Sequence, residues 1–422
     1  MEEKKYRTDD LLILEDKNNP ISQTIQQMGL IKNFTRLSGL QDLMEITYFR
    51  GPGSFFEYYR SPMRVFTNMG MPKEIFYILG IETTFIEQLS VIAAISPKNR
   101  EIIAKARSLV PSSTYCTYHQ AALGAIESQY FPLPDLFVAP SYICEEGVNL
   151  LTYLAKKYDK PILYIDFPYE KSEEAELYLA KQLENLAKDL ADFFHLTLKT
   201  ENIENAFRWA NEARDWWMKY VDLCAYDGED MNMAYQNINL GLLINNKFGL
   251  EEYSRLTKKC YEEMLEKIQG NKNESPSNKL RILWLHLMPY HSSALVGLLK
   301  NLKINIVTTQ VSQIRWKPLD PRQPWRSLAR KFMDSYVCSC FTEKMEELDD
   351  LITRFKIDAV IELCHPGCKP LCSVSFLIKS YLKEKGMPHL SFEADLINPE
   401  NISIEQIRTR LEAFIEILNA QK

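Results

Sequence analysis

Four of the nine cysteines in this 422-residue chain sit where their chemistry could be used. Cys144 comes just after an apolar run, Leu136-Phe137-Val138-Ala139, at the start of a helical pattern. Cys364 and Cys368 come just after a second apolar run, Ile357 to Leu363, with Gly367 allowing a tight turn. Cys116 follows Pro111-Ser112-Ser113 and opens a further helix. A helix N-terminus lowers a thiol pKa and favours thiolate, the form that binds metal. In parallel α/β sheets ligands bind at the carboxyl ends of the strands. The three segments could therefore aim thiolates into one crevice between two α/β domains. Three thiolates suit an iron–sulfur cluster, which is usually held by four. One iron would then lack a protein thiolate and could bind a substrate oxygen as a Lewis acid. The plain alternative for each cysteine is a small buried apolar side chain. Cys224, Cys260, Cys338, Cys340 and Cys372 are assigned to it.

Other chemistries are excluded by the motifs they need. There is no G-x-x-x-x-G-K-[ST] loop for ATP, no G-x-G-x-x-G after a strand and no H-E-x-x-H. No C-x-x-C pair occurs, which argues against zinc ribbons and thioredoxin-like sites. Fifty basic against 56 acidic residues leave a net charge of −6, with no basic excess to attract nucleic acid or an anionic membrane. The opening Met1-Glu2-Glu3-Lys4-Lys5 is charged and does not read as a signal peptide. Apolar stretches such as Val91 to Ile95 fall far short of the roughly 20 residues of a membrane span. The expected location is the cytoplasm, where cysteines stay reduced or bind metal.

The elements that must position these residues follow from the patterning. Residues 1–61 read as a helical segment, with helices over Ile21–Leu37 and Leu40–Tyr48 and a Gly-Pro-Gly break at 51–53. Residues 62–170 read as an α/β domain. Its strands are Arg64–Asn68, Leu136–Ala139 and Pro161–Ile165, and its helices open near Met71-Pro72-Lys73-Glu74 and over Glu145–Tyr158. Strand, helix and strand at this spacing make a parallel βαβ unit. Residues 171–279 read as long helices, with Trp209, Trp216 and Trp217 in a core and a linker at 270–278. Residues 280–422 read as a second α/β domain with strands Arg281–Leu287, Ile304–Thr308, Ile357–Leu363 and Pro388–Phe392. Its helices run over Ser292–Leu302 and from about Lys369 to Lys385. A last one is opened by Ser403 and Gln406 in a capping-box spacing. The expected fold is two parallel-sheet, flavodoxin/Rossmann-like domains with helical N-terminal and inter-domain segments.

With these residues in view, the chain from about residue 62 onward resembles the D-component subunits of the 2-hydroxyacyl-CoA dehydratases. That family also contains the ATP-dependent benzoyl-CoA reductases. Cys116-Thr117-Tyr118 to Gly124 is similar to the family's first cysteine segment, and Leu133-Pro134-Asp135-Leu136 through Ser141-Tyr142-Ile143-Cys144 to its second. His365-Pro366-Gly367-Cys368-Lys369 is similar to its third. The tail resembles the family most specifically, with Glu393-Ala394-Asp395 and then Gln406-Ile407-Arg408-Thr409-Arg410-Leu411-Glu412-Ala413-Phe414. It differs in having Ala394-Asp395 where the family usually has Gly-Asp. In Phe66-Thr67-Asn68-Met69-Gly70-Met71-Pro72-Lys73-Glu74, only Thr67 stands for the family's hydroxyl residues.

The resemblance implies a [4Fe-4S] cluster held by Cys116, Cys144 and Cys368, with Cys364 the competitor for the third place. It implies a related second subunit and a separate ATP-dependent iron–sulfur activator that injects one electron. The acyl-CoA thioester then becomes a ketyl radical that expels the 2-hydroxyl, and the electron is returned. In the reductases the same apparatus reduces an aromatic ring. The expected function is therefore a subunit of an (R)-2-hydroxyacyl-CoA dehydratase, a lyase. The alternatives are a benzoyl-CoA reductase-type subunit and a non-catalytic relay or scaffold subunit. His365 could orient a ligand, Asp395 reads as a turn cap, Lys369 could meet a CoA phosphate, and Arg408 and Arg410 read as surface residues.

Overall fold

The computed structural model describes residues 38–45, 55–112, 114–142, 144–226, 247–270, 279–291, 293–302, 304–335 and 338–421. The expected helix over Ile21–Leu37, the break at 51–53 and the linker beyond Gly270 lie outside the described residues.

Two four-stranded, all-parallel sheets organise the chain. After helices α1 (Ser38–Glu45) and α2 (Phe55–Arg60), the first half runs β1 (Arg64–Thr67), α3 (Glu74–Leu79), β2 (Glu82–Phe85), α4 (Ile86–Ile95), α5 (Asn99–Leu109), α6 (Thr117–Glu127), β3 (Leu136–Pro140), α7 (Glu145–Lys157) and β4 (Ile162–Ile165). Long helices α8 (Glu173–Phe193), α9 (Thr200–Leu223) and α10 (Glu251–Gly270) follow. The second half runs β5 (Arg281–Leu285), α11 (Ser293–Asn301), β6 (Asn305–Thr309), α12 (Pro324–Met333), α13 (Phe341–Arg354), β7 (Ala359–Cys364), α14 (Lys369–Cys372), α15 (Ser375–Glu384), β8 (His389–Glu393) and α16 (Ile404–Gln421).

Strand order is β2-β1-β3-β4 in one sheet and β6-β5-β7-β8 in the other. The two halves therefore share one plan. Registers such as Phe66↔Phe137 and Ile361↔Leu390 bring apolar residues side by side. Strands β1, β3 and β7 are buried along their whole length, which is why β3 and most of β7 read as apolar runs rather than alternating ones. Phe66 stacks on Tyr58 at 5.2 Å and meets Phe137 edge-on at 5.9 Å, fixing the core of the first sheet.

Three local expectations need correction. Strand β2 was not expected, because Glu82, Thr83 and Thr84 are polar. Gly80 creates it: at φ 70 it closes α3, with Gly80 N–H donating to Tyr77 O and Ile81 N–H to Phe76 O, and so turns the chain back along β1. Strand β5 ends at Leu285, two residues early, because His286 turns left-handed at φ 68. The helix expected over Lys369–Lys385 is two. The Cys372 thiol bonds to His365 O at 3.2 Å and the Ser375 hydroxyl to Glu362 at 2.8 Å, on either side of the break between α14 and α15.

Helix α9 joins the halves. Asn202 donates to Ile78 O at 2.8 Å in the first, while Arg214 donates to Trp316 O at 2.7 Å and Trp217 to Ser312 O at 2.9 Å in the second. Trp217 is buried, as expected, whereas Trp209 and Trp216 are only half-buried, beneath Arg208 and Lys219. Across the same junction Lys331 on α12 forms a buried ion pair with Glu74 on α3.

Candidate metal centre

In both sheets the strand order reverses beside the first strand, between β1 and β3 and between β5 and β7. A crevice opens at the carboxyl ends of the strands at such a point. Here the two crevices face each other across one cavity of about 80 Å³. Met69 reaches it from the end of β1, Cys144 from the end of β3, Leu287 from the end of β5, and His365, Gly367 and Cys368 from the end of β7. Cys116, Tyr118, His119 and Glu87 complete it from α6 and α4 with Val311, Pro370, Leu371 and Leu396. On the same measure a single water needs roughly 10–15 Å³, so the space holds more than one small ligand atom.

The cavity thus brings together Cys116, Cys144 and Cys368. Each is the residue immediately before a helix, at the starts of α6, α7 and α14, and none caps its helix by a side-chain bond. Cys364, the competitor, does not line the cavity. Its thiol lies 3.4 Å from both the Ser375 and Ser391 hydroxyls, on the far side of the turn.

Helix starts were expected to lower these thiol pKa values, and the structure corrects this. Burial pushes Cys116 well above its usual range, reinforced by the neighbouring Cys368, and pushes Cys144 up as well. Burial drives Cys368 up to about 12. Desolvation is the largest effect at each thiol, and the Glu146 carboxylate adds to it rather than opposing it. Cys364 moves the other way, lowered chiefly by the adjacent Cys372 thiol.

Four further side chains face or flank the sulfurs. Glu87 is buried in α4 and accepts the Met69 N–H at 2.7 Å; burial pushes its carboxyl up to about 7. His119 is buried with neither ring nitrogen hydrogen-bonded, and burial lowers it to about 4. Cys116, His119 and Glu146 offer ligand atoms all within 4.8 Å of one another. His365 Nε2 lies 3.4 Å from Cys116 Sγ, and its Nδ1 accepts the Leu396 N–H at 3.1 Å. Glu87 and His119 were missed in the sequence. The signal for Glu87 was that α4, Ile86-Glu87-Gln88-Leu89-Ser90-Val91-Ile92-Ala93-Ala94-Ile95, is apolar almost all round and so must be buried whole.

The remaining singled-out residues have structural partners. Asp395 caps its turn as expected, accepting from Ile397 and Asn398 N–H at 2.9 Å each. Lys369 is exposed and 3.8 Å from Glu146. Arg408 pairs with Glu405 at the surface, and Arg410 donates to Ser391 O at 2.6 Å. Thr67 is fully buried with its hydroxyl unpartnered, and does not line the cavity. Cys224 and Cys260 are buried as expected, but Cys340 is exposed and caps α13 together with Glu343.

Most of the chain is similar to known proteins. The (R)-phenyllactyl-CoA dehydratase alpha subunit of Clostridium sporogenes is 21% identical over 364 residues, covering 83% of this chain and 88% of the relative. The lactoyl-CoA dehydratase subunit alpha of Anaerotignum propionicum is 23% identical over 299 residues, covering 68% and 70%. The (R)-2-hydroxyglutaryl-CoA dehydratase subunit alpha of Acidaminococcus fermentans is 20% identical over 322 residues, covering 74% and 66%. Residues 68–418 match the family model of the 2-hydroxyglutaryl-CoA dehydratase D-component, and the chain belongs to that family.

Proposed function

We propose that this chain is one subunit of an iron–sulfur (R)-2-hydroxyacyl-CoA dehydratase working in the cytoplasm. It would act with a related second subunit and an ATP-dependent iron–sulfur activator. The observation that carries the reading is the meeting of Cys116, Cys144 and Cys368 in one cavity at the facing switch points of two sheets. The relatives' names favour dehydration over aromatic ring reduction. Among the described residues no helix is long and apolar enough to cross a membrane.

The residues fit a [4Fe-4S] cluster. Three thiols with raised pKa values, Cys116 buried and Cys144 and Cys368 half-buried, are poor thiolates by themselves, and a positive iron core is what reverses that balance. His119, buried with neither ring nitrogen hydrogen-bonded and only a 3.8 Å contact to Glu146, is the kind of group a ligand in the cavity would satisfy. When bound, the cluster would supply a one-electron couple and an iron able to polarise a thioester or hydroxyl oxygen.

The chain's own residues would do the rest. The apolar walls of Met69, Leu287, Val311, Leu371 and Leu396 exclude water and strengthen every polar contact inside. Glu87, held through Met69 N–H and titrating near neutrality, can give a proton to the departing 2-hydroxyl. His119 stays neutral at the same pH and can hydrogen-bond the substrate's oxygens. The net reaction removes the 2-hydroxyl and a β-hydrogen as water, through a ketyl radical formed on one-electron activation, and returns the electron.

The test is turnover by the reconstituted complex. An (R)-2-hydroxyacyl-CoA should give the 2-enoyl-CoA and water with only catalytic electron input. Stoichiometric reductant consumption with an aromatic acyl-CoA, and no dehydration, would overturn the proposal.

A further inference from the structure

We infer that His365 tunes the cluster through Cys116, by donating its Nε2–H to the Cys116 sulfur in a tautomer that the Asp395–Leu396 turn imposes. The inference rests on the cluster reading above and adds a positioning residue to it.

The tautomer follows from one hydrogen bond. Leu396 N–H points at His365 Nδ1 at 3.1 Å. A ring nitrogen that accepts carries no proton, so the neutral imidazole must carry its hydrogen on Nε2. That nitrogen lies 3.4 Å from two acceptors, Cys116 Sγ and Thr117 Oγ1. The Thr117 hydroxyl spends its own hydrogen on Asp395 Oδ1 at 2.7 Å, so it offers His365 only a lone pair. At 3.4 Å an N–H···O contact is long, since such bonds span about 2.7–3.2 Å. The larger sulfur is the better-placed acceptor at that separation.

The ring has little freedom to choose otherwise. His365 is 2% exposed, and the Tyr118 ring stands edge-on to it at 5.7 Å. Asp395 Oδ1 is itself fixed by Ile397 and Asn398 N–H, and Oδ2 by the Asn401 amide at 2.9 Å. Cys116 and Thr117 belong to the first half, and His365, Asp395 and Leu396 to the second. The hydrogen bond therefore exists only while the halves are packed.

A hydrogen bond to a cluster sulfur stabilises the more negative, reduced state and raises the reduction potential. Without it, the cluster should be harder to reduce.

The experiment compares the parent chain with His365→Phe and His365→Gln after anaerobic reconstitution, reading iron content and an EPR-monitored redox titration. His365→Phe keeps the ring and removes the donor. Its iron content should match the parent. At the potential that half-reduces the parent, its reduced-to-oxidised ratio should fall about tenfold, equivalent to about 59 mV for one electron. His365→Gln, whose amide N–H reaches a similar distance, should recover most of the shift. In the parent, ¹⁵N spectra of the imidazole should show the Nε2–H tautomer, with or without iron. Equal potentials at equal iron content, or an Nδ1–H tautomer, would overturn this inference alone. A parent chain that takes up no four-iron cluster would instead overturn the reading beneath it.

Discussion

The backbone of Gly367 lies against the backbone of Cys116. A Cβ placed on Gly367 would fall 3.2 Å from Cys116 Cα and 2.9 Å from Thr114 O. Gly367 is also left-handed, at φ 83. The turn that delivers Cys368 can therefore approach the segment that delivers Cys116 only with glycine at this place, and two of the three thiols depend on that one contact.

Gly367→Ala tests this. The left-handed backbone alone costs an L-residue about 1–2 kcal/mol, and the contact with backbone atoms adds to it. We expect a lower melting temperature, and a loss of bound iron larger than the loss of stability would explain. Iron per chain and thermal unfolding of the same sample check it. Unchanged iron would mean that the two segments can separate without harm to the site.

The buried pair Lys331–Glu74 ties α12 to α3. Burial already raises the Glu74 pKa, against the pull of Lys331. Lys331→Met leaves that carboxyl without its partner and should cost about 3–5 kcal/mol. Adding Glu74→Gln should return much of the loss, because the uncompensated charge is then gone. Urea unfolding of the single and double variants gives the coupling.

Beneath the cavity, Glu362 is fully buried between His286 at 3.2 Å and His389 at 3.1 Å. Burial alone would raise its pKa, but the hydrogen bonds with His286 and Ser375 and the close His389 ring outweigh it and hold the carboxyl near 2. A folded pKa below the unfolded one stabilises the protein above the unfolded value and stops doing so in acid. The contribution should therefore be complete above about pH 4.5 and fade as the pH falls towards 2. Glu362→Gln should lower stability at neutral pH and flatten this acid limb in a series of unfolding curves.

Glu87 has the opposite sign. Its folded pKa is raised from 4.5 to about 7, so native protein holds the proton more tightly than unfolded chain does. Its effect on stability is complete below pH 4.5 and is lost as the pH rises to about 7. Glu87→Gln should abolish that loss while lowering dehydration by about 10²–10⁴-fold, the usual range for a removed proton donor. Full activity in the variant would remove Glu87 from the proposed chemistry.

The parts of this fold that can be read in the sequence are those in which burial is continuous. Strands β3 and β7 are largely apolar runs because both their faces are covered, and Cys144, Cys364 and Cys368 stand out because they follow such runs. Strand β2 does not, because Thr83 and Thr84 are buried yet polar. Its direction is set by the left-handed Gly80 and not by any hydrophobic pattern. The thiol pKa values could not be foreseen, since a helix start and desolvation oppose each other and only the packed cavity decides between them. His119 reads like any other residue of a helix's first turn; its lack of a hydrogen bond is a property of the assembled walls. Cys364 and Cys368 are four residues apart, and which of them faces the cavity depends on the turn made by Pro366 and Gly367.

The most direct measurement is the iron and sulfide content of anaerobically purified chain, with its ultraviolet–visible and EPR spectra, in the parent and in single cysteine variants. The account predicts about four irons and four sulfides per chain, as a [4Fe-4S] cluster requires. They should be lost in Cys116→Ala, Cys144→Ala and Cys368→Ala and kept in Cys364→Ala and Cys260→Ala. A chain that binds no iron, or a single metal ion at Cys116, His119 and Glu146, would contradict it. So would a cluster that survives Cys368→Ala but not Cys364→Ala.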